Sequence, residues 1–231
     1  MFTAEFRQLE VLRQAAQDRG SELIPVTKEE IEAVTQEEMD GFSYHAHPDN
    51  IALALKVCAD LGVDRQTAIS GMWKARPDAG AMTEHRIEFF GKKIYFVNGF
   101  AANDPESTEQ IWRMTLDKHS TVKKTVALFN CRADRPDRSM QLGRAYVQWP
   151  QADHVVLMGG GTYIFARAAV AAGLEESKLI FLEGNKVDEI FESLVGLIRS
   201  TGLIMGMANI GGQGLDLVSY FRNREAPMEA L

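Results

Sequence analysis

The chain has 231 residues, 45% of them hydrophobic and 25% charged, with a formal net charge of −7. That length and apolar content suffice for a buried core and for one large or two small domains. The acidic balance argues against non-specific nucleic-acid binding, which needs a basic surface, but leaves room for a local cationic site. Two distant cysteines, Cys58 and Cys131, show no CxxC or Cys/His spacing. They argue against a disulfide framework or structural zinc and favour a reducing, cytosolic setting.

No apolar run approaches the roughly 20 residues that cross a bilayer. Met1–Gly20 mixes acidic and basic residues without an apolar stretch, so it does not read as a signal peptide. It reads as a helix: Phe2, Phe6, Leu9, Leu12, Ala15 and Ala16 recur at helical spacing, and Gly20 stops the run. Glu22–Val26 reads as a short strand, Lys28–Met39 as an acidic helix and Gly41–His47 as a loop. Pro48 suits the first turn of a helix over Asp49–Leu61. Asp64 caps another, with Ala68, Ile69 and Met72 facing inward. The turn-rich Arg76–Gly80 marks a domain boundary, which gives a mostly helical 1–80 and a second domain over 81–231.

Beyond it the pattern turns regular. Strands are predicted at Ile87–Phe90, Lys93–Val97, Thr125–Asn130, His154–Met158, Lys178–Phe181 and Leu203–Met207. Helices are predicted at Pro105–Lys118, Asp137–Val147, Thr162–Ala172, Val187–Ser200 and Gly214–Phe221. This alternation is the signature of an α/β fold, Rossmann-like, with a mostly parallel sheet covered on both faces. Such folds bind ligands beyond the carboxyl ends of the strands.

Two turns at that edge carry chemistry. One is Asn98-Gly99-Phe100-Ala101-Ala102-Asn103-Asp104, in which Asp104 and Pro105 open a helix. Asn98, Gly99 and Asn103 offer backbone and amide groups to a ligand, and Phe100 offers a face for a planar ring. The other is Arg132-Ala133-Asp134-Arg135-Pro136-Asp137-Arg138, after a buried strand. Arginine grips carboxylate and phosphate through planar paired hydrogen bonds, and the start of the next helix reinforces anion binding. A solvated ion-pair network is the plainer reading of this cluster.

The Gly-rich turns Met158–Thr162 and Gly206–Gly214 are weak signals. Neither fits GxGxxG, and no G-x-x-x-x-G-K-[ST] occurs in the chain. His45 and His47 lie near Asp49 with no third ligand evident, so no metal site is assigned. Asn50, at a helix start, reads most simply as a cap.

The runs His47-Pro48-Asp49-Asn50, Pro77–Met82, Phe96–Asp104, Asn130–Arg135 and Met207–Gly212 occur in one order. In this the chain resembles the C-terminal half of the ligase subunit of poly-γ-glutamate synthases, the capsule-forming branch of the Mur ligase superfamily. The resemblance implies a Mur ligase C-terminal-type Rossmann-like domain, preceded by a small helical remnant of the central ATPase domain. It implies an ATP- and Mg²⁺-dependent amide ligase acting through an acyl phosphate on glutamate and poly-γ-glutamate, with no nucleic-acid partner. By that resemblance Arg132, Asp134 and Arg135 are catalytic, Asn50 and Asn103 bind the nucleotide, and Asn209 binds substrate. The reading of the two turns adds Asn98 and Phe100 to the nucleotide side and Arg138 to the substrate side.

Ala102 stands where the superfamily has a histidine, and Arg86 is the expected substitute for an arginine absent at Gly80–Met82. The P-loop and the Mg²⁺ carboxylates are expected in a partner domain or subunit that precedes residue 1. Without that half the chain is expected to be inactive. With membrane subunits of the synthase, it is expected at the inner face of the cell membrane. Two other readings stand beside this one: a non-catalytic α/β anion-binding module, and a Mur-type ligase with a different amino-acid acceptor.

Overall fold

Two threonines, each three residues before a glutamate, set the shape of the first part of the chain. Thr27 and Glu30 form a reciprocal capping box, as do Thr35 and Glu38. Each contributes about 1 kcal/mol. The computed structural model describes residues 1–42, 44, 46–75, 82–102 and 104–226. It divides into two compact units, residues 1–77 and 78–231. The turn-rich stretch expected at their boundary lies outside the described residues.

In the first unit, β1 (Phe2–Thr3) and β2 (Ile24–Pro25) pair in parallel across α1 (Leu9–Asp18). The helix expected from Phe2 therefore begins at Leu9. The backbone of Phe2 and Thr3 is given to β2, and Glu5 makes a turn by accepting from the N–H groups of Arg7 and Gln8. The single acidic helix expected over Lys28–Met39 is two, α2 (Lys28–Glu32) and α3 (Gln36–Asp40), because the second box restarts the chain at Thr35. The capping glutamates also reach forward to α4 (Pro48–Asp60) and to α5 (Arg65–Lys74). Glu30 pairs with Lys56, and Glu38 pairs with Arg65 through two hydrogen bonds. Asp64 caps α5 by accepting from Thr67 N–H at 3.0 Å, as its sequence position predicts. Val26, Val34, Ile51, Ala52, Leu55, Ala68 and Ile69 form the core.

The second unit contains β3 (Thr83–Phe89), β4 (Lys92–Asn98), α6 (Pro105–Lys118), β5 (Lys124–Cys131), α7 (Pro136–Tyr146), β6 (His154–Gly159), α8 (Thr162–Ala171), β7 (Leu179–Phe181), α9 (Val187–Leu197), β8 (Thr201–Ala208) and α10 (Gln213–Arg222). The six strands lie in the order β3-β4-β8-β5-β6-β7, all parallel except β3, which is antiparallel to β4.

Strand β5 explains the two-faced core. Ala127, Phe129 and Cys131 point to one side, with Trp112, Leu142, Tyr146 and Phe165 of α6, α7 and α8. Val126 and Leu128 point to the other, with Ile190, Leu194, Leu217 and Phe221 of α9 and α10. A strand buried on both faces reads as a continuous apolar run, which is why this region was legible. The tail returns to the free edge of the sheet, where Ala226 N–H donates to Arg86 O at 2.8 Å.

Candidate functional site at the carboxyl edge

Strands β4, β8 and β5 end side by side, with Asn98 opposite Gly206 and Asn130 opposite Ala208. Three asparagines gather there, Asn98, Asn130 and Asn209, each no more than 4% exposed. The amide of Asn130 donates to Asn209 O at 2.6 Å and to Gly211 O at 3.0 Å, and the amide of Asn209 donates back to Asn130 O at 3.0 Å. This reciprocal lock joins the turn after β5 to the turn after β8.

Two features of backbone geometry make room for it. Ala208 holds φ 82, in the left-handed region that a non-glycine residue rarely enters. A Cβ at Gly214, in the first turn of α10, would lie 2.8 Å from the Asn130 amide nitrogen.

The arginines are built onto this lock. Arg138, on the first turn of α7, donates from Nη1 to Asn209 Oδ1 at 2.7 Å. Arg132 lies against the β8–α10 turn, its Nη1 3.0 Å from where a Cβ on Gly211 would sit. Burial first, and then the charges of Arg135 and Arg132, pull the Arg138 guanidinium below its ordinary range. Arg132 and Arg135 therefore both lie close enough to Arg138 for their charges to act on it. Arg135 is the N-cap residue of α7, exposed, and makes no side-chain capping bond.

Several expectations need correction. Arg132 is not an open fork: Nε and Nη2 donate to the two Asp134 carboxylate oxygens at 2.9 and 2.7 Å. That hydrogen-bonded pairing raises the Arg132 pKa and lowers that of Asp134. Among the described residues no ion pair holds Arg135, so Arg135 is the more open cation of the two.

Phe100 is fully buried and cannot present its ring to a ligand. It packs beneath β8, where a Cβ on Gly206 would come within 2.3 Å of the ring, and beside Phe96. The apolar residue of the turn completes the core instead of lining the edge. Asn98, at 1% exposure, shapes the edge from beneath.

Asn50 is not the cap of α4. His47 is the N-cap residue, Pro48 opens the helix, and Asn50 is an exposed residue of its first turn, within the first unit. Asn103 and His45 lie outside the described residues. Asp104 caps α6, accepting from Ser107 N–H at 2.9 Å. Burial alone would raise its pKa, but this and the other local hydrogen bonds lower it. Arg86 sits midway along β3, in an ion pair with Glu88 at 3.4 Å.

Two residues of the edge carried little sequence signal. Asn130 opens one of the runs that carry the resemblance, but nothing in the sequence gives its amide a role. Glu183 follows β7 and accepts from the N–H groups of Gly161 and Thr162 and from the Thr162 hydroxyl. Its carboxylate fills the start of α8, so the Gly159–Thr162 turn serves the protein's own anion. A separate cleft of about 430 Å³ lies within the first unit, lined by Phe2, Ala52, Leu55, Lys56 and Arg65 among others.

The fold is that of an α/β domain of the Mur ligase C-terminal type. MurF from Acinetobacter baumannii shares this fold, with a TM-score of 0.50 at 18% identity over 74% of this chain and 37% of that one. Residues 84–224 match the family described as the poly-gamma-glutamate synthase CapB C-terminal domain. The capsule biosynthesis protein CapB of Bacillus anthracis is 33% identical over 225 residues, 97% of this chain and 48% of that protein. The PGA synthase CapB of Bacillus subtilis (strain 168) is 34% identical over 209 residues, 90% of this chain and 52% of that protein. The chain belongs to the poly-γ-glutamate synthase CapB family and spans about half the length of these relatives.

Proposed function

We propose that this chain is the C-terminal part of an ATP-dependent acid–amino-acid ligase that extends glutamate through γ-amide bonds by way of an acyl phosphate. The supporting observation is Arg138 held on the Asn130–Asn209 lock by its hydrogen bond to Asn209, with Arg132 and Arg135 close enough for their charges to act on it. Its relatives are a capsule biosynthesis protein and a PGA synthase. Amide formation from a carboxylate passes through species with extra negative charge, and fixed cations at a pre-organised site stabilise that charge.

In this reading Arg135 and Arg138 meet the anionic group. Asn209 is the substrate-side amide, and the Arg132–Asp134 pair fixes the wall of the turn. A nucleotide-binding role is kept for Asn50 and, separately, for Asn103, while Asn98 supports the turn and Phe100 has no ligand role.

The chain's own residues fit an anion but not the whole nucleotide–metal apparatus. The sequence has no P-loop motif. Among the described residues no group of three or more His, Cys, Asp or Glu is placed to hold a metal ion. ATP and Mg²⁺ are therefore assigned chiefly to a P-loop-bearing domain or subunit, of which the first unit is the adjoining remnant. Membrane subunits of a synthase are the further partners, at the cytoplasmic face.

Thermal unfolding with inorganic phosphate or glutamate, compared with chloride at equal ionic strength, tests the site. A ligand at a hundred times its Kd stabilises by about 2.7 kcal/mol. Phosphate should raise the melting temperature of the wild type but not of Arg135→Ala/Arg138→Ala. Equal response of both proteins overturns the anion site. ATP-dependent glutamate ligation by the isolated chain overturns the division of labour.

A further inference from the structure

The hairpin between β3 and β4 turns through Phe90 and Gly91, with φ of 48 and 72. A two-residue turn with both φ values positive favours Asn, Asp or Gly. Here its first place holds a phenylalanine that is 89% exposed. Phe90 thus carries a backbone cost and an exposed aromatic ring together, and its ring contributes almost nothing to the core. It is braced all the same. Phe90 meets Phe89 edge-on at 4.6 Å, and Phe89 rests on the buried Phe191 at 6.1 Å.

The charge around this tip differs from that of the whole chain. The segments Phe89–Lys93, His119–Lys124 and Ile198–Thr201 lie together at the amino edge of the sheet. Lys93 N–H donates to Ser200 O at 2.7 Å, and Lys123 N–H donates to Thr201 O at 3.2 Å. These segments contain four lysines and one arginine and no acidic residue, in a chain of net charge −7. Three acids beside them are already held: Glu88 by Arg86, Asp153 by Lys124, and Glu84 by Lys118 and His119. Among the described residues no ion pair holds Lys93, Lys123 or Arg199.

We propose that this edge docks directly on an anionic lipid surface. The Phe89–Phe90 tip enters the headgroup layer while Lys93, Lys123 and Arg199 face the lipid phosphates. A protruding aromatic pair with flanking bases matches a surface that is charged outside and apolar beneath. A soluble polyanion would engage the bases and leave the rings without a partner. The edge lies at the opposite end of the strands from the Asn130–Asn209 lock, so docking leaves the candidate site uncovered by lipid. The inference stands on the amino edge alone and does not depend on the ligase reading.

Co-sedimentation of the full chain with vesicles tests it, using phosphatidylcholine alone and phosphatidylcholine mixed with phosphatidylglycerol. The chain should bind the mixed vesicles only, and less as salt rises. Phe90→Ser should weaken binding about tenfold, and Lys93→Glu or Lys123→Glu about fivefold or more each. Phe90→Trp should show blue-shifted emission with mixed vesicles, beyond any change in the wild type. Failure to bind mixed vesicles overturns the proposal, as does Phe90→Ser binding like the wild type. Displacement from vesicles by soluble polyglutamate that is unaffected by Phe90→Ser also overturns it and assigns the edge to a polyanion.

Discussion

Asn130 does its work through two hydrogen bonds to main-chain carbonyls, one at Asn209 and one at Gly211. Removing its amide leaves buried acceptors without a donor, at about 1–3 kcal/mol each. Asn130→Ala should therefore lower stability by about 2–3 kcal/mol in urea titration, and it should weaken phosphate-dependent stabilisation because Asn209 loses its support. Asn130→Asp should not rescue either, since a carboxylate cannot donate. The neighbouring Cys131 thiol has its pKa pushed up to about 12 by burial, only partly offset by a hydrogen bond from Ser139. A thiol reagent at neutral pH should leave Cys131 unmodified in the folded protein and modify both cysteines in denaturant. The sequence carried the arginines plainly, because charge after an apolar run is conspicuous. It did not separate Arg132, committed to Asp134, from Arg135, because that choice depends on side-chain direction within a turn. Phe100 misled for a related reason: a phenylalanine two steps past a strand packs down as readily as up.

Elements were most legible where burial was two-sided. β5, β6 and β8 are continuous apolar runs, and α6 opens at the expected Asp104-Pro105. β1 was hidden because Phe2 and Phe6 continue the spacing of the helix that follows, and strand pairing with Ile24 is a distant contact that local periodicity does not encode. The division of α2 from α3 is written locally, in two Thr-x-x-Glu boxes, which a single acidic helix over Lys28–Met39 does not resolve. The start of α8 yields a pH prediction. Hydrogen bonds from the Thr162 hydroxyl and then the Gly161 amide hold the Glu183 carboxyl below its ordinary 4.5. Its contribution is therefore complete above that value and lost as pH falls through the lower, folded-state value. Glu183→Gln should cost about 1 kcal/mol at neutral pH, as a lost cap does. The gap between variant and wild type should shrink as acid is added, measured by denaturant midpoints across the acid range. A gap independent of pH would mean that the carboxylate charge is not what holds the helix start.

The two units differ in how much apolar surface they enclose. The second has cores on both faces of its sheet, whereas the first gathers seven buried hydrophobic residues around short helices and two-residue strands. Small units bury a smaller fraction of their surface and are the less stable for it. Residues 82–226 expressed alone should fold cooperatively and retain the phosphate response. Residues 1–75 alone should be marginal, with circular dichroism and urea titration as the measure. An α/β sheet over the second unit was readable from alternating elements. Its strand order was not, because β8 enters between β4 and β5 only once long-range pairing is complete. Glu183 has a consequence for inhibitor chemistry. The protein has already seated its own counter-anion at the α8 turn, while the neighbouring α7 turn offers bare guanidinium. A small acidic fragment screened against this domain should crowd into one berth beside Arg135, and a dianion designed to bridge both helix starts should gain nothing over a monoanion of the same shape.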